Sequence, residues 1–454
     1  MQISNRTRQL AAGPALTLFA ASMLFLPVSL HAQRPDPATP ALTFRKVMSA
    51  PAEFDDNFTH AVIAVSAEQK ALIARNYIRV DSGEQIKWLR EHPERRGNRL
   101  FGLAPVTAGP THLPDSTRFG FIPNSTMAFL VSCTSDVRLW NTREHKKLEV
   151  EFPHDMSSEC AGPNPAVSPD GKIMVTQTSN TLRLWDLQTF KAAGPELEHD
   201  WCWDLAFSSD GRWLFTRDER EVKIRSARTG EPVAGPFRHD LIAGGFAYDA
   251  SFQRLATFEN NKEEDAVWNS TAVVRSGQDW SGTQRIELSG HTREARWIDG
   301  SHILVISDVK QPGEKSPYSY DKNTVSLITL KGDKPEVQVV TRHRWIRNAA
   351  VASDAEHLIV TTRDWTSCWQ LGKPKPIWTK PAEYIVSPGG GAWVLLHRDK
   401  TAVICSLTTG EELRRWNNVV ASRRDGSSVW LCSAKGIEVW QPEGAKKSAD
   451  AQAR

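Results

Sequence analysis

Two stretches of the chain, forty residues apart, carry one pattern. Residues 166–186 read AVSPDGKIMVTQTSNTLRLWD and residues 206–226 read AFSSDGRWLFTRDEREVKIRS. Val167 and Phe207, Asp170 and Asp210, Gly171 and Gly211, Thr176 and Thr216, Leu184 and Ile224, and His199 and His239 all keep that spacing of 40. A fixed period of this length means copies of one supersecondary unit, each burying its apolar face against the next.

From Phe119 onward the unit recurs with weaker fidelity. Each copy has three alternating or apolar runs, and the first ends in a polar turn. The second run ends in Ser132, Thr176, Thr216, Thr257, Ser307 or Thr361. The third ends in an aromatic or its replacement: Trp140, Trp185, Arg225, Trp369, Cys405 or Trp440. Thr229-Gly230 and Thr409-Gly410 form turns, and a fourth run leads to His154, His199, His239, His291 or His343. Short strands at regular spacing with turn residues between them mean an all-β array, and four strands per ~40–45 residues make a propeller blade.

SPDG (168–171), LRLWD (182–186), RLWN (138–141), the Thr-Gly turns and SGH (289–291) make residues 119–441 resemble the WD40 repeat family. The resemblance implies a β-propeller whose His, Ser/Thr, Asp and Trp form a buried hydrogen-bonded tetrad in each blade. Here the His and Ser/Thr columns are kept, so Thr176, Thr216, the five histidines and Trp140, Trp185, Trp369 and Trp440 take structural roles. The Asp of the turn before the third strand is mostly missing: Thr134 and Ser179 stand there, with Glu219 a substitute. A His without that Asp loses a charge-assisted bond worth ~1.5–3 kcal/mol. The fold implies function only by analogy.

The direct count is eight units: 119–155, 160–200, 201–240, 241–291, 292–343, 344–380, 381–416 and 417–441. Seven blades is the alternative. The last unit has three strands, and a propeller must hide its edges, so an N-terminal strand should complete it. Residues 42–48 (LTFRKVM) are the candidate. Residues 43–118 are otherwise ambiguous. Ser66-x-x-Gln69 and Ser82-x-x-Gln85 read as capping boxes of short helices. Yet residues 64–84 also follow the repeat, and a divergent blade is favoured. Counting it exceeds the usual four to eight blades, so one weak unit should be something else.

Arg6 and Arg8 precede an apolar stretch at 15–26, broken at Pro27, with small residues at Leu30-His31-Ala32. That is the pattern of an export signal over residues 1–32 with Gln33 at the new N-terminus. A periplasmic or extracellular location follows, with no span after cleavage. Residues 33–42 are a Pro-rich linker, and the polar tail 442–454 is expected to be disordered. The formal net charge of +3 is too small to argue for nucleic acid. Of six cysteines, Cys133, Cys368, Cys405 and Cys432 lie in apolar runs, where Cys acts as a small hydrophobe. Cys160 and Cys202 fall in neighbouring loops and are candidates for a disulfide.

His154-Asp155, His199-Asp200 and His239-Asp240 could suggest metal ligands, but equivalent positions on different blades lie around a ring. A metal needs ligands converging within ~2–2.6 Å of one point. No nucleophile elbow, HExxH or phosphate-cradling loop appears. No metal or cofactor is expected. The loops entering each blade and those joining second and third strands open on one face in WD40-like propellers. Two of the latter, 259–271 and 309–323, are enlarged. In the column two residues after the His stand Met156, Trp201, Leu241, Arg293 and Trp345. With Trp203, Arg344, Arg347, Tyr318 and Tyr320 they suggest a rim rich in the side chains of protein-binding hot spots. The leading expectation is therefore a monomeric scaffold that binds a protein or peptide without catalysis. The alternative is a propeller enzyme, of lactonase, hydrolase or quinoprotein type. Its site would lie in the channel at Asn164, Asp204, Asn348 and Glu383.

Overall fold

The computed structural model describes residues 43–50, 60–65, 71–77, 98–102, 111–113, 118–131, 137–150, 152, 165–177, 180–199, 202–249, 251, 253–261, 267–277, 279–310, 323–332, 334–343, 345–352, 354, 356–381, 384–385, 392–398, 400–425, 427–433 and 435–443. All regular structure there is β-strand, every pairing antiparallel. Eight blades follow one another: I (118–147), II (166–198), III (204–238), IV (242–289), V (291–343), VI (346–380), VII (384–417) and VIII (419–442). Each matches one unit counted in the sequence.

Blade VIII has three strands of its own. Its fourth is Phe44–Ala50, paired with Gly436–Pro442 from Phe44↔Pro442 to Ala50↔Ile437. The N-terminal closing strand is thus borne out. Phe44 points inward and sets its ring edge against Trp393, centroids 5.3 Å apart, and Trp416, 6.5 Å.

Between blades VIII and I lies a further four-stranded sheet: His60–Val65, Ala71–Tyr77, Asn98–Gly102 and Thr111–Leu113. Its first strand packs beside Val419–Asp425 on one side and Arg118–Phe121 on the other. No unit gives way to make room for it, contrary to the expectation from the usual blade number. The capping-box residues Ser66, Gln69, Ser82 and Gln85 lie outside the described residues, as do the proposed signal, the linker and the tail from Gly444.

The core is a set of layers between blades. Phe258, Ala272 and Val274 of blade IV meet Ile303, Val305 and Ile328 of blade V. Leu304, Ile306 and Leu327 meet Leu358, Val360 and Trp369 in the next layer. The middle strands are therefore covered on both faces, which is why they read as continuous apolar runs rather than alternation. His302–Asp308 shows this, with the five residues from Ile303 to Ser307 all buried.

The forty-residue period is visible bond by bond. Asp170 Oδ1 accepts from Ser168 Oγ (2.6 Å) and the Lys172 N–H (3.1 Å), and Ser168 Oγ accepts the Ile173 N–H (2.9 Å). Ser208, Asp210, Arg212 and Trp213 repeat the set at 2.6, 3.0 and 2.9 Å. Gly171 has φ +73°, and a Cβ there would lie 1.9 Å from the Pro123 carbonyl oxygen of blade I. Glycine is required both by the left-handed turn and by the neighbouring backbone.

Candidate binding surface

The first strands of successive blades lie against one another: Ala166–Val167 with Asp204–Phe207, and Ile242–Tyr248 with His291–Trp297. They are the inner strands of the ring. Because each blade runs up and down, the loop entering a first strand and the loop joining second to third strands open at the same end. That end carries the features below.

Four inner strands are irregular near their start. The pairing slips between Ala243 and Gly245, Thr292 and Glu294, Ile346 and Asn348, and Val419 and Ala421. The bulged residues are Gly244, Arg293, Arg347 and Val420. A bulge turns a side chain out of the strand's alternation. The column two residues after the His is therefore not one structural position. Arg293 is a bulge residue, whereas Trp345 stands one residue before its strand.

Asp308, at the end of blade V's second strand, accepts from Arg293 Nη1 (3.2 Å) and Asn323 Nδ2 (2.6 Å). Burial pushes its carboxyl above the usual carboxylate range, against the pull of Arg293 and the Asn323 bond. Arg293 Nη2 then crosses to the Ile346 carbonyl of blade VI (2.9 Å), and Asn323 Oδ1 accepts the Ile346 N–H (2.9 Å). Ile346 is thus held from blade V on both backbone groups. Its neighbours Trp345 and Arg347 are exposed. Trp345 keeps φ +62°. A bulky residue in that region is strained.

The second-to-third-strand turn of blade VI is tied to the same place. Trp365 Nε1 donates to His343 Nε2 at 3.1 Å, ring centroids 4.4 Å apart and nearly perpendicular. Arg342, Arg363 and Asp364 are exposed around this bond. Other exposed apolar groups at this end are Trp203 (53%), at the entry of blade III, and Ile242 (38%), at the start of blade IV. Val267, before blade IV's third strand, is 46% exposed. Trp201, Arg344, Tyr318 and Tyr320 lie outside the described residues, as do the middles of both enlarged loops, 262–266 and 311–322.

The tetrad columns are filled blade by blade with different chemistry. In blade II, Trp185 Nε1 donates to Thr176 Oγ1 (2.8 Å), and His199 is buried with its N–H on the Asn180 carbonyl (2.9 Å). In blade III the turn carboxylate is Asp218, not Glu219. Asp218 accepts the N–H groups of Arg220 (2.9 Å) and Glu221 (2.7 Å). Asp218 stands one position earlier because the turn begins there, and the Glu219 carbonyl instead accepts the Ala243 N–H of the next blade. Arg225, in the Trp place, donates to the Gly230 carbonyl, while Thr216 Oγ1 is buried without a hydrogen-bond partner. His239 Nδ1 faces Glu259 of blade IV at 3.2 Å. Burial lowers its pKa, opposed by that carboxylate. His291 stacks on Trp268 (4.3 Å) and meets Asn261 Oδ1 (2.7 Å). Blade IV uses Arg275 where others have Trp, its Nη1 on Thr257 Oγ1 at 2.7 Å. Trp369 and Trp440 turn to Ser367 and Glu438 on their own strands, and Trp140 Nε1 is buried without a partner. His154 lies outside the described residues.

Of the channel residues, Asp204 accepts from Arg217 Nε at 2.6 Å, and Arg217 also reaches the Ala243 carbonyl of blade IV. Asn348 is half-buried, its Oδ1 without a hydrogen-bond partner. Asn164 and Glu383 lie outside the described residues. Among the described residues no three His, Cys, Asp or Glu side chains group as a metal site would. Cys202 is a buried free thiol, and burial raises its pKa to about 12. Cys160 lies outside the described residues.

The WD domain, G-beta repeat family matches residues 193–224, which run from the end of blade II into the third strand of blade III. No curated protein sequence matches the chain. Among solved structures, a eukaryotic initiation factor is similar at TM-score 0.53 and 13% identity, with 85% of this chain and 95% of that one covered. A computationally designed protein, Ika8, matches at TM-score 0.44 and 12% identity, over 87% of this chain and 99% of its own. With a repeat of that family set in a ring of four-stranded blades, the chain is a WD40-like β-propeller.

Proposed function

We propose that the protein is a scaffold that holds a protein or peptide across the end of the ring where the blades are entered. One observation carries the reading. At that end Trp203, Ile242, Trp345 and Arg347 are exposed, on blades III, IV and VI. Large apolar side chains left in water beside arginine are the composition of binding hot spots rather than of an idle surface. WD40 propellers in general mediate protein interactions, which supports the same reading.

Export belongs to the proposal, on the strength of Arg6, Arg8 and the apolar stretch at 15–26. Intact mass of the protein from its native source should place the N-terminus at Gln33. For binding, the chain and a Trp203→Ala/Trp345→Ala variant are used to capture partners from an extract of the native source. The variant keeps its circular dichroism and loses the partner. Equal capture by both would sink the reading.

A further inference from the structure

The end of blade VI has a chemistry of its own, and the inference rests on the scaffold reading above. Two loops meet there, 343–346 and 363–365, joined by the bond from Trp365 Nε1 to His343 Nε2. Arg342, Arg347 and Arg363 are exposed around that joint, and Trp345 stands 37% exposed among them. Arg293 reaches the same place from blade V, its Nη2 on the Ile346 carbonyl. Asp364 is the exposed acid among the described residues of the two loops. Asp308 of blade V is half-buried and already holds Arg293 and Asn323. Among the described residues of this end, the exposed arginines therefore outnumber the exposed acids around one exposed indole.

The placement is specified rather than incidental. Arg347 is a bulge residue, turned out of its strand's alternation. Trp345 is held at positive φ, a conformation a bulky residue adopts only when its surroundings impose it. Here the surroundings are the two bonds that fix Ile346 between them.

We infer that the end of blade VI is a docking site for an acidic peptide segment of a partner protein. Its carboxylates lie on Arg342, Arg347 and Arg363, and an apolar side chain lies against Trp345. Arginine forks match carboxylates in bidentate geometry. A nucleic acid is disfavoured because it needs a basic stripe along the surface, and the chain's net charge is only +3.

Fluorescence anisotropy of the purified chain with three labelled probes tests this. The probes are a twelve-residue peptide of repeated Asp-Glu-Phe-Ser, its Asn-Gln-Phe-Ser counterpart, and a twelve-nucleotide oligothymidine. The acidic peptide should bind most tightly and weaken at least tenfold between 50 and 300 mM salt. It should also lose at least tenfold to Arg347→Glu/Arg363→Glu, with the variant's circular dichroism unchanged. Absence of binding, equal binding by that variant, or tighter binding of the oligonucleotide would overturn the inference. A neutral peptide that binds as well, and is lost on Trp345→Ala but kept by the double Glu variant, overturns the acidic partner. It leaves the scaffold reading standing.

Discussion

Trp185 Nε1 donates to Thr176 Oγ1 at 2.8 Å, joining the second and third strands of blade II from a site 2% exposed. Phe152 sets its ring against the indole at 5.1 Å, so the side chain is both packed and hydrogen-bonded. Trp185→Ala should cost ~3–5 kcal/mol, the usual loss for a buried aromatic. Chemical denaturation measures it. A cost below ~1 kcal/mol would mean that this column is not part of the core.

The strand Phe44–Ala50 covers an edge that blade VIII cannot cover itself. Phe44→Ala removes a ring 5% exposed, between Trp393 and Trp416, and should cost ~3–5 kcal/mol. It should also raise aggregation on heating, because a freed edge strand pairs with other chains. Light scattering during a thermal ramp reads the second effect. A variant that melts earlier without scattering would limit the strand's role to packing.

Trp345 at φ +62° gives a stability test independent of binding. Glycine enters the left-handed region without the Cβ penalty. Trp345→Gly should therefore be more stable than Trp345→Ala by about 1 kcal/mol. The opposite order in urea denaturation would show that Trp345 does not hold that backbone.

His357 Nδ1 and Asp354 Oδ2 lie 2.6 Å apart in the first turn of blade VI. The bond to Asp354 raises the His357 pKa above its ordinary value, against burial. Burial alone would raise Asp354, but bonds from His357 and from the N–H groups of Glu356 and His357 bring it below its ordinary value. The His contribution is complete below the unfolded histidine pKa and is lost as pH rises through the folded one. The Asp contribution is present above the unfolded carboxyl pKa and is lost as pH falls through the folded one. The pair thus stabilises most between about pH 4 and 6.5. His357→Gln should cost about 1 kcal/mol more at pH 5.5 than at pH 8.5, read by denaturation at both. A pH-independent cost would remove the ion pair from the account.

The eight-unit count and the closing strand were legible because both rest on buried side chains at a fixed spacing. Thr176, Trp185 and the Ser-x-Asp-Gly turn repeat what each unit must bury or bend. The binding end was legible only as a list of residue types. Trp345 and Arg293 sit in one sequence column but at different structural positions, because a bulge adds a residue without leaving a mark in composition. Asp218 was passed over for Glu219 because the turn starts one residue early, and a one-residue shift cannot be seen in a polar run such as Asp218-Glu219-Arg220. Arg275 was missed as the Trp replacement of blade IV. Its signal was Arg225, fifty residues earlier at the same strand end, offset by the longer loop between them. The sheet of residues 60–113 was legible at 64–84, whose apolar runs follow the repeat, and only the usual blade number argued that some unit must give way to it.

Lys46 and Glu438 form an ion pair 3.0 Å long across 392 residues of chain. The segment that seals the ring is synthesised hundreds of residues before its partner strand. Closing a flexible loop of that length costs about 5 kcal/mol in entropy, a cost that blades already formed between the two strands reduce. Every other described blade completes its sheet from strands close in sequence. The blades are thus free to form one by one during translation, while the joint at Phe44–Ala50 must wait for residues 436–442. Until then the first of the described strands is an unpaired edge, open to pairing with other chains.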